Sequence, residues 1–276
     1  MNSIDLNCPA KLNLDLSILR KRIDGMHEID TQFQLIDLFD EMQIQKTKNK
    51  TIIVKTNLGP LIDGENNLVY KAIRILSDHI GKEIYCDVHI KKNIPMGGGL
   101  GGGSSNAAAV LIGINFLFQL GLSSQNLTKV GRKLGADVPL FIFGKNARAS
   151  GIGDHLVEKK NMPRKKYLLL FPQIHSSTKE LFSQWDELNR NTQKSIIQKE
   201  ENSFLPLFLE NNQDVNKVYK ELCQISTPRL SGSGSTMFYA YDEVSEIEKT
   251  LKKIPAKWRH FFCEPLQCSP LLTYLT

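Results

Sequence analysis

Six of the seven positions from 97 to 103 are glycine, in the stretch Pro95-Met96-Gly97-Gly98-Gly99-Leu100-Gly101-Gly102-Gly103-Ser104-Ser105-Asn106. Glycine loses more conformational freedom on folding than any other residue. A fold keeps such a run where the backbone must take a positive φ or approach something closely. The flanks decide between this and a slack linker. Upstream, Ile84, Cys86, Val88 and Ile90 alternate with Tyr85, Asp87, His89 and Lys91, which predicts a half-buried strand. Downstream, Ala107, Ala108, Val110, Leu111, Ile114, Leu117 and Phe118 are apolar nearly all round, which predicts a centrally buried helix. Ser104, Ser105 or Asn106 is expected to cap it. Strand, glycines and helix start together predict a row of backbone N–H groups aimed out of a helix N-terminus. That is an anion site, and phosphate is its commonest tenant.

Two familiar phosphate motifs do not fit. Gly97 and Gly102 have the Walker A spacing, but Gly103 stands where the lysine belongs. Gly97, Gly99 and Gly102 satisfy G-x-G-x-x-G, yet no Asp or Glu follows between Ser104 and Ala136 to hold a ribose.

The 276 residues allow one large domain or two ordinary ones, and 41% hydrophobic with 23% charged residues is an ordinary globular balance. Five cysteines, Cys8, Cys86, Cys223, Cys263 and Cys268, include no Cys-x-x-Cys. They are read as reduced, buried thiols in a cytoplasmic protein. The first ten residues lack the pattern of a secretory signal. The apolar run 107–122 is broken by Asn115 and Gln119 and is short for a bilayer span, so no membrane partner is expected. The net charge of +6 comes with lysine and arginine clusters (Lys46, Lys48, Lys50; Lys159, Lys160; Arg164, Lys165, Lys166) that lack interleaved aromatics. They read as solvated surface, and no nucleic-acid partner is expected.

The patterning predicts an α+β chain. Strands are expected at residues 13–19, around Met42 and Ile44, around Ile52 and Val54, at 167–171 and at 237–241. Helices are expected at 67–80 and, exposed, at 243–253. A polar segment at 161–166, containing Pro163, predicts a boundary between an N-terminal domain, 1–160, and a C-terminal domain, 161–276.

At this point several motifs converge. The glycine stretch through Ala107 and Ala108 resembles the ATP loop of the galactokinase, homoserine kinase, mevalonate kinase and phosphomevalonate kinase superfamily. Its doubled glycine triplet resembles the 4-diphosphocytidyl-2-C-methyl-D-erythritol kinase branch. Pro9-Ala10-Lys11-Leu12-Asn13-Leu14, Asp24-Gly25-Met26-His27 with Gln32-Phe33, Gly135-Ala136-Asp137-Val138-Pro139 and Leu230-Ser231-Gly232-Ser233-Gly234-Ser235-Thr236 are similar to further motifs of that branch. The likeness extends over nearly the full chain. It implies a two-domain small-molecule kinase fold with the active site in the interdomain cleft. It also implies ATP with Mg2+, a substrate carrying cytidine diphosphate, and transfer to its 2-hydroxyl. A homodimer is left open. A sibling kinase of homoserine or mevalonate, and a nucleotide-binding regulator without chemistry, are the competing readings.

The resemblance also assigns roles. Asp137 is the expected base and Lys11 its electrostatic partner. Read alone, Asp137 could equally be a loop aspartate or a helix N-cap, and Lys11 a surface lysine. ATP contacts are expected from Asn67, Pro95, Met96, Gly97, Gly98, Gly99, Leu100, Gly101, Gly102, Gly103, Ser104 and Ser105. Substrate contacts are expected from Asn13, Met26, His27, Phe182, Gly232, Ser233 and Gly234, with Arg190, Asn191 and Thr192 following Phe182. Phe182 alone could be a core residue, and Gly232 to Gly234 a hairpin turn. Many relatives have tyrosine where Met26 stands, so a polarizable thioether replaces a stacking ring.

Overall fold

Ile4, Leu6 and Cys8 are buried, and Ser3, Asp5 and Asn7 between them are exposed. This alternation starts a strand far longer than the expected 13–19. In the computed structural model, which describes residues 1–60, 62–162, 164–189 and 201–275, β1 runs Ser3–Lys21 and pairs antiparallel with an equally long β2, His27–Lys46. Pro9 does not end β1. A register shift absorbs it, and others follow after Asn13 and Ile18. Proline lacks a donor, and a bulge is one of the few places a sheet accepts it.

The first sheet also contains β3 (Ile52–Thr56), β4 (Cys86–Lys91), β5 (Ala147–Ser150) and β6 (His155–Glu158), with β4 and β5 pairing to different parts of β2. Helices α1 (Leu68–Ile80), α2 (Gly102–Leu117), α3 (Ser124–Arg132) and α4 (Val138–Phe143) complete this part. Leu6, Ile44 and Val88 from the sheet form one core with Ile73 of α1 and Val110 and Ile114 of α2. As its composition predicts, α2 is buried over most of its surface. It stops at Leu117, short of the apolar run's end, and the Asn115 side chain bonds both backbone groups of Leu122.

The second sheet, in the order β10-β7-β9-β8, is built from β7 (Lys166–Phe171), β8 (Arg229–Leu230), β9 (Met237–Tyr241) and β10 (Arg259–Cys263). With it go α5 (Thr178–Asn189), α6 (Leu205–Asn211), α7 (Gln213–Cys223) and α8 (Glu248–Leu251). The exposed helix expected at 243–253 is instead a 3-10 turn, Val244–Glu246, followed by the single turn of α8, with Ile247 and Thr250 buried. The first sheet ends at Glu158 and the second begins at Lys166, on either side of the polar segment, whose Pro163 lies outside the described residues. The cores cross that line. Leu16 and Ile18 of β1 pack with Leu168, Leu170 and Phe208, while Leu271 of the tail packs in the first core.

The cysteines are free. Cys8, Cys86 and Cys263 are buried, and burial pushes each thiol up to about 12. The expectation of burial fails for Cys268, which is exposed, and in part for Cys223, which is half-buried. Both lie outside the alternating segments that pack against helices.

One buried ion pair holds both ends of the glycine stretch. Asp40, on β2, is fully buried and bonded to the Lys92 ammonium. Its Oδ1 accepts from the N–H groups of Asn93 (2.8 Å) and Ile94 (2.9 Å), just before the glycines. Its Oδ2 accepts from Asn106 Nδ2 (3.0 Å), just after them, and Lys92 Nζ also donates to Asn106 Oδ1 (2.7 Å). Removing one partner of a buried pair leaves a charge without compensation. Asp40→Ala is therefore expected to destabilise the protein by about 3–5 kcal/mol, measured by urea denaturation.

Candidate active site

The glycine stretch is held by its carbonyls. Leu100 O accepts from Lys11 N (3.0 Å), Gly97 O from Ser235 N (3.3 Å), Gly98 O from Thr236 N (3.1 Å) and Gly99 O from Ser231 Oγ (3.1 Å). A trans peptide places C=O of one residue and N–H of the next on opposite sides. These bonds therefore turn the amides of Gly98 to Gly101 away from β1 and from the 231–236 turn. Among the described residues the N–H groups from Gly99 to Ser104 have no protein partner. A row of unpaired donors thus runs into α2, the arrangement that an anion site requires.

Its cap differs from the expectation. Gly101, at φ 72°, occupies the N-cap of α2, and Ser104, Ser105 and Asn106 lie inside the first turns. The left-handed φ suits glycine, and a Cβ at Gly101 would come within 2.8 Å of the Phe141 ring. Gly99, at φ 73°, is tighter still: a Cβ there would lie 2.2 Å from Ser231 O. Gly103 differs, since a Cβ there meets nothing within 4 Å. Ser105 Oγ is buried without a partner.

Lys11 and Asn13 are two residues apart on β1 and share a face. Lys11 is buried, not the surface lysine of the alternative reading. Its Nζ donates to Asn13 Oδ1 (2.5 Å) and sits 3.4 Å from Asp137 Oδ2. Asn13 Nδ2 donates to Thr31 Oγ1 (2.8 Å), which fixes the amide so that its oxygen faces the lysine. Asp137 stands at the N-cap position of α4, but its side chain caps nothing. The carboxylate stays partly open to the cleft at 37% exposure, paired with Lys11.

The turn joining β8 to β9 closes this corner. It is a hairpin turn, and its Gly232, Ser233 and Gly234 line the same cleft as Lys11 and Asp137. A Cβ on Gly232 would lie 3.1 Å from Asn13 Oδ1 and 3.6 Å from Lys11 Nζ. Asn202 Nδ2 holds the turn through Leu230 O (2.8 Å) and Gly232 O (2.9 Å). Ser233 is tied to the start of α5 and the residues before it: its carbonyl accepts from Ser176 Oγ, and its Oγ meets Thr178 Oγ1, both at 2.6 Å.

A cleft of about 670 Å³ runs from this corner past Gly97, Gly99 and Gly101 to Met26, His27 and Phe182. Met26 is 47% exposed on its wall. His27 is buried and stacks face to face on Phe182, with ring centroids 4.3 Å apart. Phe182 also packs edge-on against Phe204 of the second core, so it is both core residue and cleft wall. Asn67 is not among the cleft-lining residues. Its amide caps α1, accepting from Val69 N (2.9 Å) and donating to Ile62 O (2.8 Å). Arg190, Asn191 and Thr192 lie outside the described residues.

Sequence reasoning missed Thr31, Asn202, Ser176, Thr178, His175 and Asp186. The first four hold site residues through one or two long-range hydrogen bonds each, which leave no spacing signal. His175 lines the cleft beside Gly97. Asp186 could have been found, because it follows Phe182 by four residues on one helix face.

Comparison with known proteins shows the family. The family described as GHMP kinases N terminal domain matches residues 67–145, which hold the glycine stretch and Asp137. A 4-diphosphocytidyl-2-C-methyl-D-erythritol kinase from Haemophilus ducreyi is 38% identical, over 98% of this chain and 97% of its own length. The chain belongs to the 4-diphosphocytidyl-2-C-methyl-D-erythritol kinase family. A crystal structure of 4-(cytidine 5'-diphospho)-2C-methyl-D-erythritol kinase superposes with a TM-score of 0.77 at 26% identity, covering 95% of this chain and 99% of that one. A homoserine kinase from Cytophaga hutchinsonii shares the fold, with a TM-score of 0.69 at 16% identity over 98% and 96% of the two chains. The two-sheet α+β architecture is that of the GHMP kinases.

The open space at Gly103 gives a clean test of the loop. Gly103→Val should leave the urea midpoint nearly unchanged and raise the KM for ATP at least about tenfold, because charge-assisted hydrogen bonds of about 1.5–3 kcal/mol each are blocked. Gly99→Val should fail to fold to the native state.

Proposed function

We propose that this protein transfers the γ-phosphoryl group of ATP to the 2-hydroxyl of 4-diphosphocytidyl-2-C-methyl-D-erythritol, giving the 2-phosphate and ADP in isoprenoid precursor synthesis. The observation that carries this is the position of Lys11. One residue caps the glycine loop through its backbone N–H and faces Asp137 through its ammonium. A nucleotide's phosphates on the loop would bring the transferring group to that pair.

Phosphoryl transfer needs little covalent work from the protein and much positioning and charge stabilisation. The Gly99 to Ser104 amides hold the phosphate oxygens, helped by the positive end of α2. Lys11 stabilises charge on the moving group. Asp137 accepts a hydrogen bond from the acceptor hydroxyl, orients it and takes its proton as the new bond forms. A dry corner strengthens each of these interactions, and Lys11 is buried. Mg2+, arriving with the nucleotide, supplies neutralisation of phosphate charge. Among the described residues no cluster of three or more His, Cys, Asp or Glu could cage a metal alone. The donors to hand are the open Asp137 carboxylate and the orphaned Ser105 hydroxyl, a set that suits an ion shared with phosphates.

The acceptor's base end is read at the far end of the cleft by Met26, His27 and Phe182, and Asn13, Gly232, Ser233 and Gly234 meet the part between. Binding energy from this remote end orients the small polyol. The reading places the protein in the cytoplasm, as a single chain or a homodimer. No helix among the described residues is long and apolar enough to cross a membrane.

Asp137→Asn and Lys11→Ala should each lower kcat by about 100- to 10,000-fold while changing ATP affinity little, as expected for contacts made mainly in the transition state. Single-turnover and nucleotide-titration measurements separate the two effects. Near wild-type turnover in either variant would withdraw its role.

A further inference from the structure

Three residues on one face of α5 enclose a single imidazole. The Phe182 ring lies over the His27 ring at 4.3 Å with 17° between the planes. Trp185, three residues on, meets the same ring edge-on at 5.8 Å. Asp186, four residues on, places Oδ1 2.7 Å from His27 Nε2. Its other oxygen, Oδ2, is 2.5 Å from Lys21 Nζ. Lys21 and His27 are opposite each other in the register of β1 and β2, so one hairpin supplies both partners of the carboxylate. Burial acts to raise the Asp186 carboxyl, but the hydrogen bonds from Lys21 and His27 outweigh it and hold it below the usual carboxylate range.

An ionised carboxylate only accepts hydrogen bonds. Nε2 of His27 therefore carries a hydrogen, and in the neutral imidazole Nδ1 is left with a lone pair. Among the described residues Nδ1 has no partner, and His27 lines the cleft. A lone pair on that edge accepts from an exocyclic amine and repels a carbonyl. Cytosine carries an amine at C4, and uracil carries a carbonyl there.

We propose that Asp186 is a positioning residue that selects cytosine over uracil by fixing the Nε2–H tautomer of His27. The inference rests on the reading of His27 as a contact to the base. Without Asp186 the ring can carry its hydrogen on Nδ1 and donate to a uracil carbonyl. A site built around one hydrogen-bond polarity rejects the analogue of opposite polarity strongly, and the selecting group here touches the base only through the histidine.

The test compares kcat/KM for the cytidine acceptor and its uridine analogue at about pH 8, where an ordinary imidazole is neutral. Wild type should prefer the cytidine acceptor. Asp186→Leu should reduce that preference roughly tenfold or more, the worth of one charge-supported hydrogen bond. The change should appear mainly in the KM of the cytidine acceptor, with the KM for ATP held within about twofold, and Asp186→Glu should restore most of the preference. A merely structural role would raise both acceptor KM values together and leave their ratio unchanged, and that result overturns the proposal. A wild type without preference would instead remove the base contact itself, leaving the kinase chemistry untouched. Should Asp186→Leu fail to fold, the 15N shifts of the wild-type imidazoles decide the matter. The His27 signal, assigned by its loss in His27→Gln, should report the Nε2–H form, and an Nδ1–H form overturns the proposal.

Discussion

Everything in the cleft depends on how four successive carbonyls of the glycine stretch are engaged. Once the backbone of β1 and the 231–236 turn bind those oxygens, the amides must face the other way. The packing that allows it is close enough to exclude any side chain at Gly99, whose Cβ would lie 2.2 Å from Ser231 O. The buried Asp40–Lys92 pair fixes the residues on both sides. The row of unpaired loop amides is therefore a property of three segments far apart in sequence. One of them, β1, also supplies Lys11, so the alignment of donors and the charge beside Asp137 come from the same strand.

That coupling explains why the two sheets are joined by more than a linker. β1 contributes to both cores, and the tail returns to the first. Asn202 holds the 231–236 turn from the second core. The corner that holds Lys11 and Asp137 lies where these contacts meet. The far end of the cleft is set where α5 packs on the β1–β2 hairpin, through Phe182 and Asp186 on His27. The β1–β2 hairpin thus reaches both ends of the cleft, with Lys11 at one and Lys21 and His27 at the other.

The glycine loop and the helix behind it were legible because strand alternation, glycine density and an all-apolar helix leave strong local patterns. β4, α1, β7 and β9 were legible for the same reason. The first half of β1 alternates just as cleanly through Ile4, Leu6 and Cys8, but Pro9 hides its continuation, since only the pairing with β2 shows that a register shift absorbs it. The cap at Gly101 was missed because side-chain capping is the visible pattern, whereas a left-handed glycine is chosen by tertiary packing against Phe141 and Lys11. The motif residues Lys11, Asn13, Asp137 and Gly232 are brought together by the fold. Their supports, Thr31, Asn202 and Ser176, act by one or two hydrogen bonds over long sequence separations and have no local signature. Asn67 shows the reverse: a motif residue whose visible work is to cap α1.

Amide hydrogen exchange on the free and nucleotide-bound protein tests the central claim most directly. The account predicts that the amides from Gly99 to Ser104 exchange fast in the free protein, having no acceptor, and become protected by a non-hydrolysable ATP analogue. The amides of Lys11, Ser235 and Thr236, bonded to the loop carbonyls, should be protected in both states. Loop amides indifferent to saturating nucleotide, or Ser235 and Thr236 unprotected in the free protein, would contradict it.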